Sequence, residues 1–127
     1  MIVGTGVDLC EVARMREAME RHGERFKHRV FTDSEIAYAE RKANRYERYA
    51  ARFAAKEAGM KALGTGWRDG LGWRDLEVTN LPSGRPTLRF HGKAAEIAET
   101  LGVRNIALSL THTADQAMAM VILEDCS

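Results

Sequence analysis

The chain has 127 residues, 45% hydrophobic and 29% charged, with a formal net charge of +1. This length favours one domain spanning 1–127, and the mixture is that of a globular chain rather than a disordered one. The near-neutral total argues against a general affinity for nucleic acid, and no apolar run approaches the roughly 20 residues needed to cross a bilayer. "MIVGTGVDLCEV" meets Asp8 and Glu11 without a basic lead-in, unlike a secretory signal. Cys10 and Cys126 have neither a paired framework nor metal-type spacing, and they read as reduced thiols of a cytoplasmic protein.

Along the chain, "MIVGTGVDLC" reads as a strand whose two glycines allow close backbone approach. A helix follows over about Glu11–His22, with Val12, Met15 and Met19 on one face and Gly23 as its stop. "TDSE", Thr32–Glu35, is a capping-box pattern that opens a helix through Tyr38 to about Lys42. A long helix spans about Tyr46–Leu63 and ends at Gly64 and Gly66. Residues 74–91 form a hairpin around "PSGRP", and "KAAEIAETLG" is a short amphipathic helix closed by Gly102. "NIALSLTH" and "AMAMVILE" are strands flanking the turn "THTADQ". The order β-α-α-α-β-β-α-β-β predicts an α+β fold with a mainly antiparallel sheet packed against a long helix.

Charge is unevenly placed. Residues 41–61 carry seven Lys/Arg against Glu47 and Glu57, a local balance of +5. Such a segment suits a phosphate-bearing ligand or an acidic partner, and equally a solvated helix face. Asp8 at a strand end and Glu57 within a helix are hard oxygen ligands of the kind that binds Mg²⁺ together with substrate phosphates. Each also has a plain reading: Asp8 as a helix cap, Glu57 as the i,i+4 partner of Lys61. His112, just after a strand, can reach a ligand from the turn or serve only the structure. Gly64-Thr65-Gly66 follows a helix C-terminus, whose dipole repels anions. It has no Walker-type Gly-Lys-Ser/Thr order, and no G-x-G-x-x-G follows a strand.

Five blocks occur in a fixed order: "GTGVDLCEVARM", "FTDSEIAYAE", "RFAAKEAGMKALGTG", "LPSGRPTLRFHG" and "ALSLTHTADQAMAMVIL". Together they closely resemble the holo-acyl-carrier-protein synthases, the small class of 4′-phosphopantetheinyl transferases, over nearly the whole chain. The Gly-x-Gly-x-Asp start and the block from Arg52 to Gly66 are the most specific parts. Thr5 and Thr111 stand where Ile and Ser are more usual, and neither change removes a group the chemistry needs.

The resemblance implies transfer of the 4′-phosphopantetheine of coenzyme A to a serine of apo-acyl carrier protein, in support of fatty acid biosynthesis, with release of adenosine 3′,5′-bisphosphate. It implies Mg²⁺ held by Asp8 and Glu57, and a homotrimer with active sites between subunits. In that scheme Glu57, or a metal-bound water oriented by it, is the base, and Lys61 contacts the reacting phosphates. Arg52 and Lys56 reach phosphates of the nucleotide, His112 lies at its 3′-phosphate end, and Thr113 also contacts coenzyme A. Gly64, Thr65 and Gly66 approach the adenosine. Arg14, Arg21 and Arg25 are docking candidates for an acidic carrier protein, and Met118 and Met120 suit a subunit interface or the core. Two other classes compete: a Mg²⁺-dependent nucleotide-diphosphate hydrolase using the same carboxylates, and a non-catalytic module that binds coenzyme A or carrier protein, against which the intact Asp8, Glu57 and Lys61 argue.

Overall fold

A computed structural model describes residues 1–65 and 70–126. The element order is β1 (Ile2–Glu11), α1 (Val12–Val30), α2 (Asp33–Glu40), α3 (Arg45–Leu63), a 3-10 turn (Trp73–Asp75), β2 (Leu76–Asn80), β3 (Pro86–Phe90), α4 (Gly92–Leu101), β4 (Asn105–His112) and β5 (Gln116–Glu124). β1, β5 and β4 form an antiparallel sheet in that order, with Asp8 opposite Ala119 and Thr111 opposite Met118. β2 and β3 pair separately as the expected hairpin. The fold is α+β, with the three-stranded sheet packed against α3.

α3 is buried nearly all round because it lies between this sheet and the hairpin. That position explains its alanines: Ala50, Ala51, Ala54, Ala55, Ala58 and Ala62 are all buried and keep the helix narrow. The strand side is narrower still. A Cβ on Gly6 would sit 1.9 Å from the Ala58 carbonyl oxygen, and one on Gly4 would sit 2.0 Å from that of Ala62. Glycine at both positions lets the β1 backbone lie directly on the α3 backbone. The opposite face of the sheet is left apolar and exposed at Val7, Leu9, Met118 and Met120.

Two boundaries differ from the sequence reading. Gly23 does leave helical geometry (φ 58°, ψ −143°), but helix resumes beyond it as far as Val30. Val30 and Phe31 are buried and Phe26 packs against the same cluster, so their burial draws the chain back into helix. Asp8 is not a helix cap: it lies inside β1, and the first amide of α1, on Val12, donates instead to the Asp115 carbonyl. The capping box forms as expected, with Thr32 accepting from the Glu35 amide and Glu35 from the Thr32 amide. Among the described residues, no helix is long and apolar enough to cross a membrane.

Candidate active site

Gly4, Gly6 and Asp8 alternate along β1, so all three point to the face that meets α3. The glycine contacts at Ala58 and Ala62 therefore bring Asp8 against the helix face that carries Glu57 and Lys61, one turn apart. Lys61 Nζ donates to Asp8 Oδ1 at 2.8 Å and to the Val7 carbonyl at 3.0 Å. Its side chain is 57% exposed, which leaves the third ammonium proton open to a ligand. The i,i+4 pairing of Lys61 with Glu57 is thus replaced by a pairing across to the strand.

The other Asp8 oxygen, Oδ2, is buried and receives no donor among the described residues. Beside it is the carboxyl of Glu57. Burial first, then the charge of Asp8 and a hydrogen bond with it, push Glu57 up to about 7, with Lys61 pulling the other way. A proton on Glu57 would bridge the two groups; with both ionised, Oδ2 has no partner. Among the described residues, no three or more His, Cys, Asp or Glu gather as a metal cage. Two abutting carboxylates with a buried orphan oxygen fit a hard divalent cation that takes its remaining oxygens from water and phosphate.

Glu57 opens into a cleft of about 520 Å³. Leu9, Phe26, Phe53 and Trp73 supply apolar walls, and Arg14 stands at its border. The Phe53 and Trp73 rings pack at 4.8 Å. Arg14 and Arg21 are exposed on α1, each near a neighbouring acid, Glu11 at 3.9 Å and Glu17 at 3.4 Å. Arg25 is exposed beyond the Gly23 kink.

A second, smaller cavity of about 200 Å³ contains Arg52 and His112, together with Arg48, Tyr38 and Asn80. Arg52 is 4% exposed, stacks 3.9 Å over the Tyr38 ring and donates to Asn80 Oδ1 at 3.1 Å. Its Nε has no partner among the described residues. Arg52 and Glu57 are five residues apart on α3, about 140° around its axis, so one chain turns these two sites in different directions.

Lys56, Thr113 and Gly64, expected at the nucleotide, each have partners within the fold. Lys56 is fully buried, with its ammonium on Glu35 Oε1 at 2.8 Å and on the carbonyls of Trp73 and Leu76. Three acceptors occupy its three protons, leaving none for a phosphate. The Thr113 hydroxyl accepts from the amides of Asp115 and Gln116 and so holds the β4–β5 turn. Gly64 is the left-handed C-cap of α3, its amide on the Lys61 carbonyl. The Thr65 hydroxyl is buried without a partner among the described residues. Gly66 and Trp67 lie outside the described residues.

Residues 4–121 match the family described as the 4′-phosphopantetheinyl transferase superfamily. A holo-(acyl-carrier-protein) synthase from Solibacter usitatus is 66% identical over 125 residues, covering 98% of this chain and 100% of the relative. The chain belongs to the 4′-phosphopantetheinyl transferase superfamily. Among solved structures, the holo-(acyl-carrier-protein) synthase of Neisseria meningitidis is similar with a TM-score of 0.88 at 30% identity, covering 98% of this chain and 100% of that one. The Bacillus anthracis enzyme, solved in complex with CoA (3′,5′-ADP), is similar with a TM-score of 0.78 at 33% identity, each chain covered to 98%.

Within this transferase fold, sequence reasoning missed several neighbours of the candidate residues. Trp73 walls the Glu57 cleft and accepts from Lys56 through its carbonyl. The charged Lys56 amid buried alanines was itself a signal that a buried acid must lie opposite, and that acid is Glu35. Tyr38, Arg48 and Asn80 converge on Arg52 from separate elements, and no local spacing announces that meeting.

Proposed function

We propose that this chain is a holo-acyl-carrier-protein synthase acting as one phosphopantetheinyl transferase domain. It moves the 4′-phosphopantetheine of coenzyme A to a serine hydroxyl of apo-acyl carrier protein. The serine oxygen–phosphorus bond forms, the phosphoanhydride bond breaks, and adenosine 3′,5′-bisphosphate leaves. The observation that carries this reading is geometric: Glu57 abuts Asp8, whose buried Oδ2 has no donor among the described residues and whose Oδ1 accepts from Lys61, at the wall of an apolar cleft. A carboxyl at that wall lies where an entering serine hydroxyl can be met by a general base. Glu57 takes the serine proton as the new bond forms, and Lys61 places positive charge where the phosphates would lie.

Asp8 and Glu57 would hold Mg²⁺, which when bound neutralises pyrophosphate charge. The apolar walls at Phe53 and Trp73 suit the pantetheine arm and exclude water that would otherwise compete with the serine. Arg14 and Arg21 offer charge to an acidic carrier protein at the border of that cleft, with Arg25 further along. Arg52 and His112 take phosphates of the nucleotide portion in the smaller cavity.

A homotrimer reconciles the two sites. Val7, Leu9, Met118 and Met120 are 53%, 59%, 40% and 46% exposed on one sheet face, an apolar surface suited to subunit contact. Contact between copies would bring the Arg52 cavity of one chain to the Glu57 cleft of the next. Sedimentation of an active monomer would remove this arrangement.

The decisive assay is intact-mass measurement of apo-acyl carrier protein after incubation with this protein, coenzyme A and Mg²⁺. The carrier gains one phosphopantetheine, and Glu57→Gln slows that gain by about 100-fold or more. Free phosphopantetheine with unmodified carrier would mark a hydrolase, and an unaffected Glu57→Gln would remove the assigned base.

A further inference from the structure

His112, which lines the smaller cavity, carries on its other side an acidic neighbour that the expected ligand should not favour. Glu47 sits in the first turn of α3, within the segment whose other charges, Glu57 apart, are all positive. Its Oε1 lies 2.9 Å from His112 Nδ1, joining the start of α3 to the end of β4. The Glu47 and His112 side chains are partly covered, at 24% and 30% exposure. A carboxylate beside a phosphate site weakens anion binding by simple charge repulsion, so its presence there needs a reason.

We propose that Glu47 is a positioning residue for His112, fixing the ring so that Nε2 presents a proton to the 3′-phosphate of the nucleotide. This rests on the reading of the Arg52–His112 cavity as the phosphate site. An ionised carboxylate only accepts, so Nδ1 of His112 carries a hydrogen whenever this contact is made. The contact also sets the ring's rotation, because the two nitrogens point to different sides. Nε2 has no hydrogen-bond partner among the described residues, and His112 borders the cavity occupied by Arg48 and Arg52. A ring that donates to Glu47 through Nδ1 and to a phosphate through Nε2 holds a hydrogen on each nitrogen, and the contact with Glu47 aims the second one. Arg48 is tied back by Tyr38 and Asn44, and Arg52 by Asn80, so both arginines and His112 are each held by a partner around one small space.

The alternative role, a plain tie between α3 and β4, predicts no selectivity for one phosphate. Calorimetric titration with coenzyme A and with 3′-dephospho-coenzyme A separates the two roles. Glu47→Ala should weaken coenzyme A binding about tenfold, the scale of one charge-assisted hydrogen bond, and leave 3′-dephospho-coenzyme A binding unchanged. His112→Ala should do the same, and the double variant should be no worse than either single one. ¹⁵N spectra of histidine-labelled protein should show the Nδ1–H form of His112 lost in Glu47→Ala. A wild-type preference for coenzyme A in Glu47→Ala, alongside its loss in His112→Ala, would overturn the positioning role and leave the phosphate site standing. An intact preference in His112→Ala would overturn the phosphate site and this inference with it. Tighter coenzyme A binding by Glu47→Ala would show that repulsion outweighs positioning and would also reject it.

Discussion

Gly6→Ala tests how the candidate active site is built without touching any group assigned to its chemistry. The added methyl would stand 1.9 Å from the Ala58 carbonyl oxygen and 2.9 Å from its carbon, both of them backbone atoms. No side chain can swing aside, so β1 and α3 must separate by roughly 1.5 Å to restore an ordinary contact distance. Overpacking of this kind costs about 1–3 kcal/mol, and a rigid backbone contact belongs at the upper end. The same displacement carries Glu57 and Lys61 away from Asp8, because all three are fixed to the two parting backbones. Lys61 now reaches Asp8 at 2.8 Å and the Val7 carbonyl at 3.0 Å, and neither bond survives that movement intact. Misplacement by about 1 Å lowers turnover on the order of 100-fold. Urea denaturation gives the stability loss, and single-turnover transfer at saturating coenzyme A gives the rate. Wild-type values in both measurements would show that β1 and α3 are not held backbone to backbone. A stability loss with an unchanged rate would show that this contact does not position Asp8 against Glu57.

Three further outcomes follow from particular contacts. Lys56→Ala leaves Glu35 buried and without its counter-charge, at a cost of about 3–5 kcal/mol; a denaturation midpoint close to that of the wild type would refute the pairing. Glu77 is raised by burial, but hydrogen bonds from Ser34, His91 and Thr32 outweigh this and lower its carboxyl to about 2. Its folded value lies below its unfolded one, so it contributes up to about 3 kcal/mol above pH ~4.5, lost as pH falls towards ~2. Glu77→Gln should flatten that part of the stability–pH curve, and an unchanged curve would contradict the assignment. Arg14→Glu should raise the Michaelis constant for acyl carrier protein, and the wild-type constant should rise with salt, since exposed charges are screened within about 10 Å at 0.1 M. A constant indifferent to both changes would remove α1 as the docking surface.

The sequence made the element order legible, because alternation, capping and turn chemistry are local. Thr32 with Glu35 spelled a helix start, Gly64 a helix stop, and "PSGRP" a hairpin; all three formed. It also singled out Asp8, Glu57 and Lys61, through blocks whose resemblance to a family spans the chain. Gly23 marked a real break, but whether helix resumed depended on burial of Val30 and Phe31, which their spacing does not reveal.

Tertiary structure alone decided which charges are available to a ligand. Lys56 and Lys61 look alike on the page, both in an alanine-rich helix. Packing sends Lys56 inward to Glu35 and two carbonyls, and Lys61 outward to the Asp8 strand with a proton to spare. Glu47 and His112 are 65 residues apart, and only the meeting of α3 with β4 joins them. The physical reason is the same in each case. A charged side chain's role is set by the partners it finds when water is removed, and those partners come from distant parts of the chain.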